Sequence, residues 1–192
     1  MSGIRVISGT ARGRRLKQVS GNGTRPITDR VKEALFNIIG LNVQGSAVLD
    51  LFGGTGSVGI EALSRGAGKV VFLDTRLRAI ETIRDNLSLT GFADRAEVLR
   101  RDALVHLKMA PHRGFDYVYI APPQYQGLWS IAVERVDRVP AWLNPGGWAI
   151  AQCDPSEFAE LRLRKLALFD QRRYGNTMLC FFAVVGSNEG ES

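Results

Sequence analysis

The run VLDLFGGTGSVGIEAL, residues 48–63, restricts the possible fold more than any other stretch of the chain. A strand-like apolar run enters a glycine-rich turn and leaves it as a helix, with Gly54, Gly56 and Gly59 spaced as G-x-G-x-x-G. Glycines at this spacing permit a tight turn and a close approach of a ligand to the backbone. The run therefore predicts a ligand-binding loop near the start of an α/β domain.

Strands and helices alternate from residue 47 onward, which predicts a mostly parallel sheet of seven strands covered on both faces. The last two strands, LALFDQRR and NTMLCFFAVV, are joined by a tight turn near Gly175, so the final strand must be antiparallel. LNPGG is predicted as a turn before the strand WAIAQCD. SEFAELRL, which lies between WAIAQCD and LALFDQRR, is predicted as a helix. Upstream, residues 4–18 predict a hairpin, and Thr28 is suited to cap a helix that begins DRVKEALFNII. We expect a hairpin arm at residues 1–24, one domain at 25–185 and a disordered tail at 186–192.

Composition excludes several classes of protein. No apolar run approaches the ~20 residues of a membrane span, and no apolar segment of a signal peptide follows the N-terminus. The chain has two cysteines and two histidines. We therefore expect a cytoplasmic protein with reduced core thiols and without a metal site, and we expect a monomer.

Three carboxylates end the first three predicted strands and indicate the ligand. Asp74 follows the second strand, where an acid can accept from ribose hydroxyls. Asp50 directly precedes the glycines, where its charge would repel a pyrophosphate but could hold an ammonium or a sulfonium-bearing ligand. Asp50 thus favours S-adenosylmethionine over a dinucleotide. Asp102 could accept from the adenine amino group, or it could simply cap the helix that follows.

Positive charge is concentrated at the N-terminus. The chain carries a formal charge of +6, and residues 1–32 hold eight Lys or Arg side chains against one Asp. A basic arm on a nearly neutral domain suits a polyanion such as nucleic acid, although a solubilising tail would have the same composition. The candidate RNA-binding residues are Arg5, Arg12, Arg14, Arg15, Lys17 and Arg25.

The order of several segments resembles that of the bacterial RsmD-type methyltransferases. These segments are TRPITDRVKEALFNIIG, VLDLFGGTGSVGIEALSRGA, FLD, RDAL, APPQY and RRYGNTMLCFF, and the likeness extends from Arg5 to about Val185. The resemblance implies a Rossmann-like class I fold, S-adenosylmethionine as cofactor, and methylation of the exocyclic N2 amino group of a guanine. The substrate that it implies is small-subunit 16S ribosomal RNA, naked or in a pre-assembled 30S particle.

In that family the fourth strand ends in Asp or Asn, two prolines and an aromatic residue. The resemblance implies that the acid or amide and the carbonyl of the first proline accept the amino N–H groups, while the aromatic stacks on an extruded base. Here Ala121 replaces the acid or amide, Pro122 is retained, Gln124 is inserted and Tyr125 comes one residue late. Gln124 could supply the missing oxygen, and Trp129 is either a weaker RNA contact or a core residue.

Three alternatives stay open at this stage: a weakened or inactive homologue that binds cofactor and RNA, for example as an assembly factor; a methyltransferase with another target; and a nicotinamide oxidoreductase, which Asp50 and the two prolines disfavour. The candidate catalytic residues are Ala121, Pro122, Gln124 and Tyr125. The candidate cofactor-binding residues are Thr28, Arg30, Asp50, Phe52, Gly53, Gly54, Gly56, Asp74, Asp102 and Ala103.

Overall fold

The computed structural model describes residues 3–19 and 27–186. The predicted contact residue Arg25 and positions 187–192 of the predicted tail lie outside these ranges. The chain divides into two compact units, Met1–Asp102 and Ala103–Ser192. No helix in the described part of the chain is both long and apolar enough to cross a membrane.

The first unit begins with the predicted hairpin and continues as alternating helices and strands. The hairpin is confirmed by an antiparallel bridge between Arg5 and Arg15 and by a hydrogen bond from the Leu16 N–H to the Ile4 carbonyl at 2.8 Å. Strands β1 to β3 are parallel, in the order β3-β2-β1. The elements are α1 (Asp29–Ile39), a 3-10 turn (Gly40–Val43), β1 (Ala47–Asp50), α2 (Ser57–Ser64), β2 (Lys69–Asp74), α3 (Leu77–Thr90), a 3-10 turn (Ala93–Arg95) and β3 (Ala96–Arg100).

The second unit completes a seven-stranded mixed sheet, which confirms the predicted fold class. Its strands lie in the order β4-β5-β7-β6, with β4 parallel to β5 and β7 antiparallel to both of its neighbours. The elements are α4 (Ala103–His106), β4 (Phe115–Ile120), α5 (Leu128–Arg138), a 3-10 turn (Pro140–Trp142), β5 (Leu143–Cys153), a 3-10 turn (Pro155–Glu157), β6 (Leu166–Tyr174) and β7 (Thr177–Val184).

The helix predicted over SEFAELRL is wrong. Only the short 3-10 turn forms there, and the chain then runs without regular structure to β6. The buried carboxylate of Asp137 accepts from the backbone N–H groups of Arg164, Lys165 and Leu166 at 2.8 to 3.1 Å. Burial alone would raise the pKa of Asp137, but these hydrogen bonds outweigh it and the pKa lies below its usual value. These three N–H groups directly follow the predicted helix, so the contact with Asp137 fixes the chain in a non-helical course where it enters β6.

The LNPGG segment is part of β5 rather than a turn before it. The strand begins at Leu143, and the pairing of β4 with β5 changes register between Phe115 and Tyr117. An irregularity of this kind absorbs the extra residues and lets the strand start early.

A buried carboxylate joins the N-terminal hairpin to α2. Glu61 has no solvent exposure and accepts from the backbone N–H groups of Ile7 and Ser8 at 2.8 and 3.0 Å. Its Oε1 also accepts from Arg65 Nε at 2.8 Å, and Lys32 Nζ lies 3.6 Å from its Oε2. The hairpin is therefore bound to the helix layer of this unit and does not extend as a free arm.

Asn86 fastens the second half of the hairpin to α3 and to the glycine loop. Its Oδ1 accepts from the Lys17 N–H at 2.7 Å, and its Nδ2 donates to the carbonyls of Lys17 at 3.0 Å and Thr55 at 2.9 Å. Asn86 is fully buried; its bond to Thr55 is buried, and its two bonds to Lys17 are partly buried. The hairpin thus supports the loop that the sequence predicts to bind a ligand.

Replacing Glu61 should be strongly destabilising. Glu61→Ala leaves the buried Lys32 ammonium without its counter-ion and two hairpin N–H groups without their acceptor, which should cost about 3–5 kcal/mol of unfolding free energy. The control is Asp85→Ala, which removes an exposed ion pair to Lys17 at 2.8 Å and should cost at most about 1 kcal/mol. Urea unfolding of the two variants would measure this difference, and equal losses would contradict the role assigned to Glu61.

Candidate functional site

Two glycines give the loop after β1 its shape. Gly56 has φ of 78° at the N-terminus of α2, a left-handed conformation that side chains rarely adopt. Gly59 lies against β2, where an added Cβ would come within 2.3 Å of the Phe72 ring. The first glycine therefore allows the turn and the second lets the helix pack closely on the sheet, as the spacing predicts.

Asp50 has an unsatisfied oxygen at the end of β1. Its side chain is 2% exposed and accepts from the backbone N–H groups of Phe52 and Gly59. Among the buried side-chain polar atoms of the described residues, only its Oδ1 has no hydrogen-bond partner. Burial raises the pKa of Asp50 to about 7, and the nearby Asp74 charge adds to this rise. A cationic ligand group would satisfy both the orphan oxygen and the charge.

Asp74 fixes the start of the glycine loop. Its Oδ2 accepts from the Gly54 N–H at 3.0 Å, and its Oδ1 accepts from the Arg76 N–H at 2.9 Å. The Arg76 guanidinium donates to both oxygens at 3.2 Å. These contacts use roughly all four lone-pair positions of the carboxylate. A ribose hydroxyl can therefore bind Asp74 only by replacing the guanidinium, whose side chain is 42% exposed.

The other predicted cofactor residues occupy varied positions. The Thr28 hydroxyl caps α1 by accepting from the Val31 N–H at 3.4 Å, and Arg30 is exposed on that helix. No hydrogen bond among the described residues joins either side chain to the glycine loop. Phe52 is half-buried and Gly53 is buried. Asp102 is exposed at the end of the first unit, and Ala103 is buried at the start of the second.

The loop after β4 presents acceptors and an open aromatic ring. Ala121, Pro122 and Gln124 are half-buried. No donor among the described residues binds the Pro122 carbonyl, and none binds the Gln124 amide. Tyr125 is 70% exposed and is the one described residue other than glycine with a positive φ, at 62°. Trp129 is 2% exposed and stacks on Phe158 at 6.0 Å, so of its two predicted roles it is the core residue.

Asp154 holds Tyr125 in this strained conformation and was missed in the sequence. Tyr125 donates its hydroxyl to Asp154 Oδ2 at 3.0 Å, while Oδ1 accepts from the Ser156 N–H at 2.9 Å and from its hydroxyl at 2.7 Å. The Ser156 bonds, with smaller help from Tyr125 and the Arg173 charge, keep the pKa of Asp154 below its usual value. The available signal was an acid at the carboxyl end of a strand: Asp154 directly follows β5, and Asp50 and Asp74 are the last residues of β1 and β2.

The basic residues of the hairpin are exposed but not all unpaired. Arg5 binds Asp29 at 2.9 Å and Lys17 binds Asp85 at 2.8 Å. Arg12, Arg14 and Arg15 have no acid within ion-pair distance among the described residues. The hairpin therefore presents three unneutralised guanidinium groups on an anchored backbone.

Comparison with known proteins gives one family. The profile described as "Conserved hypothetical protein 95" matches residues 4–183. The chain is 36% identical to "Putative rRNA methyltransferase YlbH" of Bacillus subtilis, over 95% of this chain and 100% of that protein. It is 34% identical to "Ribosomal RNA small subunit methyltransferase D" of Haemophilus influenzae, over 90% and 94%. The solved structure of "Putative methyltransferase yhhF" of Escherichia coli superposes with a TM-score of 0.83 at 26% identity, over 94% and 97% of the two chains.

The raised pKa of Asp50 gives a pH-dependent stability. Between the usual Asp value of 3.8 and about 7 the folded state keeps a proton that the unfolded state loses, so stability falls as pH rises through this window. A pKa shift of this size lowers the free energy of unfolding by about 4 kcal/mol above pH 7 relative to acidic pH. Asp50→Asn removes the titration, so its stability relative to the unmodified protein should improve from pH 4 to pH 8. Urea unfolding at both pH values tests this, and a constant difference would contradict it.

Proposed function

Because the chain belongs to the "Conserved hypothetical protein 95" family of RsmD-type methyltransferases, we propose that it methylates the exocyclic N2 amino group of a guanine in small-subunit ribosomal RNA. Family membership supports the broader activity, S-adenosylmethionine-dependent methylation of ribosomal RNA. One observation supports an exocyclic amino group as the target, the two unengaged acceptors that Pro122 and Gln124 offer after β4; the choice of guanine N2 follows the family resemblance.

The first unit fits the proposed cofactor. The unpartnered Asp50 oxygen suits an ammonium group, the glycine loop admits a close ligand, and Asp74 suits a ribose once Arg76 moves aside. S-adenosylmethionine supplies an electrophilic methyl group on a sulfonium. A buried acid at Asp50 disfavours a pyrophosphate, so a nicotinamide dinucleotide is the poorer fit.

The loop after β4 activates and positions the base in this proposal. A guanine amino nitrogen is a poor nucleophile because its lone pair is delocalised into the ring. When one amino N–H group donates to the Pro122 carbonyl, the nitrogen lone pair turns out of conjugation with the ring. The Gln124 amide oxygen takes the place of the acceptor that Ala121 lacks. Tyr125 stacks on the extruded base, and the prolines fix the backbone that carries the carbonyl.

The anchored hairpin supplies the proposed contact to the RNA backbone. Arg12, Arg14 and Arg15 have the charge for phosphates, and Arg5 and Lys17 add two cations whose exposed ion pairs are weak. Because Glu61 and Asn86 fix the backbone of the hairpin, little ordering entropy is lost on binding. Point substitutions of these basic residues test the contact better than deletion of the hairpin, which would remove hydrogen-bond donors from the buried Glu61 and Asn86.

The proposal predicts transfer of labelled methyl to small-subunit particles that lack the modification. Digestion to nucleosides should place the label on guanine N2. Calorimetry should show binding of S-adenosylhomocysteine but not NAD, with affinity rising from pH 6 to pH 8 as Asp50 ionises beside the ligand ammonium. Cofactor and RNA binding without transfer would instead favour a non-catalytic assembly factor, the alternative that Ala121 supports.

Substitutions in the loop should separate catalysis from base binding. Gln124→Ala should lower kcat by about 10²-fold, as for loss of one preorganised transition-state contact, while cofactor binding stays unchanged. Ala121→Asn alone should help little, because Gln124 already fills the acceptor position. Unchanged turnover in Gln124→Ala would remove Gln124 from the reaction.

Tyr125→Phe and Asp154→Ala probe the stacking platform. Each breaks the same hydrogen bond at 3.0 Å, so each should raise KM for RNA, and the double variant should match either single one. Tyr125→Ala, which also removes the ring, should weaken RNA-dependent turnover further, by about 1–3 kcal/mol. Additive effects of the two single substitutions would show that Asp154 does not act through Tyr125.

A further inference from the structure

Strand β6 lies at the edge of the sheet and is almost wholly exposed. It pairs with β7 on one side, and of its nine residues only Leu166 is buried. A strand of this length rises roughly 26 Å along its axis, at about 3.3 Å per residue. It therefore presents a long surface with open backbone groups, which proteins ordinarily protect against pairing with other chains.

Positive charge collects along this edge, although the chain beyond residue 32 is nearly neutral overall. Residues 160–174 contain five basic side chains against two acidic ones, and all five basic side chains are exposed. Arg172 binds Asp170 at 3.1 Å, so that cation is partly neutralised. Arg173 donates its Nε to the Gly175 carbonyl at 3.2 Å and has no acid within ion-pair distance among the described residues. The basic side chains are Arg162, Arg164, Lys165, Arg172 and Arg173.

An exposed aromatic ring, that of Phe169, lies on the same strand as Arg172 and Arg173. Phe169 is 49% exposed, yet its ring packs on Trp148 at 5.1 Å and Phe181 at 6.2 Å between centroids. Those neighbours fix the ring, so little entropy is lost when a partner covers its open side. A fixed aromatic between cations is the combination that binds single-stranded nucleic acid.

The strand also leads away from the candidate base platform. Cys153 at the end of β5 pairs with Met178, which pairs with Arg173, so these residues share one face at this end of the strands. Asp154, which holds the Tyr125 ring, follows Cys153 directly. Arg173 thus lies two strands away from the end of β5, which Asp154 directly follows.

We propose that β6, with the segment of residues 162–165 that leads into it, forms a second RNA-binding surface, which holds the strand flanking the methylated nucleotide. Arg164, Lys165 and Arg173 bind backbone phosphates, and Phe169 stacks on an unpaired base. This inference rests on the proposed RNA substrate. It extends the contact to a part of the chain that is distant in sequence from the basic N-terminus.

The test compares two sets of substitutions that remove the same charge. The first variant carries Arg164→Gln, Lys165→Gln and Arg173→Gln, and leaves Arg172 with its partner Asp170. The control carries Arg78→Gln, Arg84→Gln and Lys108→Gln, three exposed cations outside β6. Binding to unmodified small-subunit RNA is measured from 50 to 200 mM salt, and S-adenosylhomocysteine binding checks the fold of each variant.

The first variant should bind RNA more weakly than the control, with the slope of log K against log salt reduced by about 2–3 for three lost phosphate contacts. A separate Phe169→Leu variant keeps an apolar side chain but removes the stacking face, and should lower RNA affinity about fivefold or more. Cofactor binding should be unchanged in all three variants.

Equal salt slopes in the first variant and the control would overturn the inference. The β6 charges would then only protect the edge, and light scattering should show self-association of the first variant. If the unmodified protein binds RNA with a β6-dependent slope but transfers no methyl group, the surface stands and the proposed activity fails. If the unmodified protein binds no RNA, both the β6 surface and the proposed activity fail.

Discussion

The buried Glu61 carboxylate is the interaction on which the first unit depends. It accepts from two hairpin N–H groups and faces the Lys32 ammonium, which also donates to the Arg5 carbonyl at 2.6 Å and to Ser57 Oγ at 2.9 Å. Burial lowers the pKa of Lys32, and the Glu61 charge opposes this. Ser57 opens α2 directly after Gly56. One charged cluster therefore joins the hairpin, α1 and the N-terminal turn of the helix that follows the glycine loop, and removing Glu61 would leave the Lys32 ammonium buried without its counter-ion.

This arrangement links the basic hairpin to the glycine loop through the fold. The hairpin that carries the exposed arginines is fastened by Glu61 at one side and by Asn86 at the other, and Asn86 also binds the Thr55 carbonyl in the loop. A backbone fixed in this way presents its cations at a defined place, which a flexible tail with the same composition would not do. The same fastening explains why the basic segment is poorly suited to truncation.

The second unit shows how an altered motif can retain its parts. Tyr125 comes one residue later than the family pattern implies, and the extra residue is accommodated by a positive φ at the tyrosine itself. Such a conformation is costly for a side chain of this size, and the bond to Asp154 helps to hold it. Asp154 in turn is fixed by Ser156, so the exposed ring is supported by a chain of hydrogen bonds that begins at the end of β5.

The sequence by itself determined the features that depend on near neighbours: the strand–helix alternation, the glycine turn at Gly56, the Thr28 cap and the basic hairpin. Each follows from periodicity or from a backbone conformation that few residues tolerate. Only the tertiary structure decided that Asp137 would bind the N–H groups where the chain enters β6, that Glu61 would anchor the hairpin, and that Asp154 would hold Tyr125. These pairs are distant in the chain. A carboxylate binds whichever donors the topology brings to it, and local sequence does not specify which donors those are.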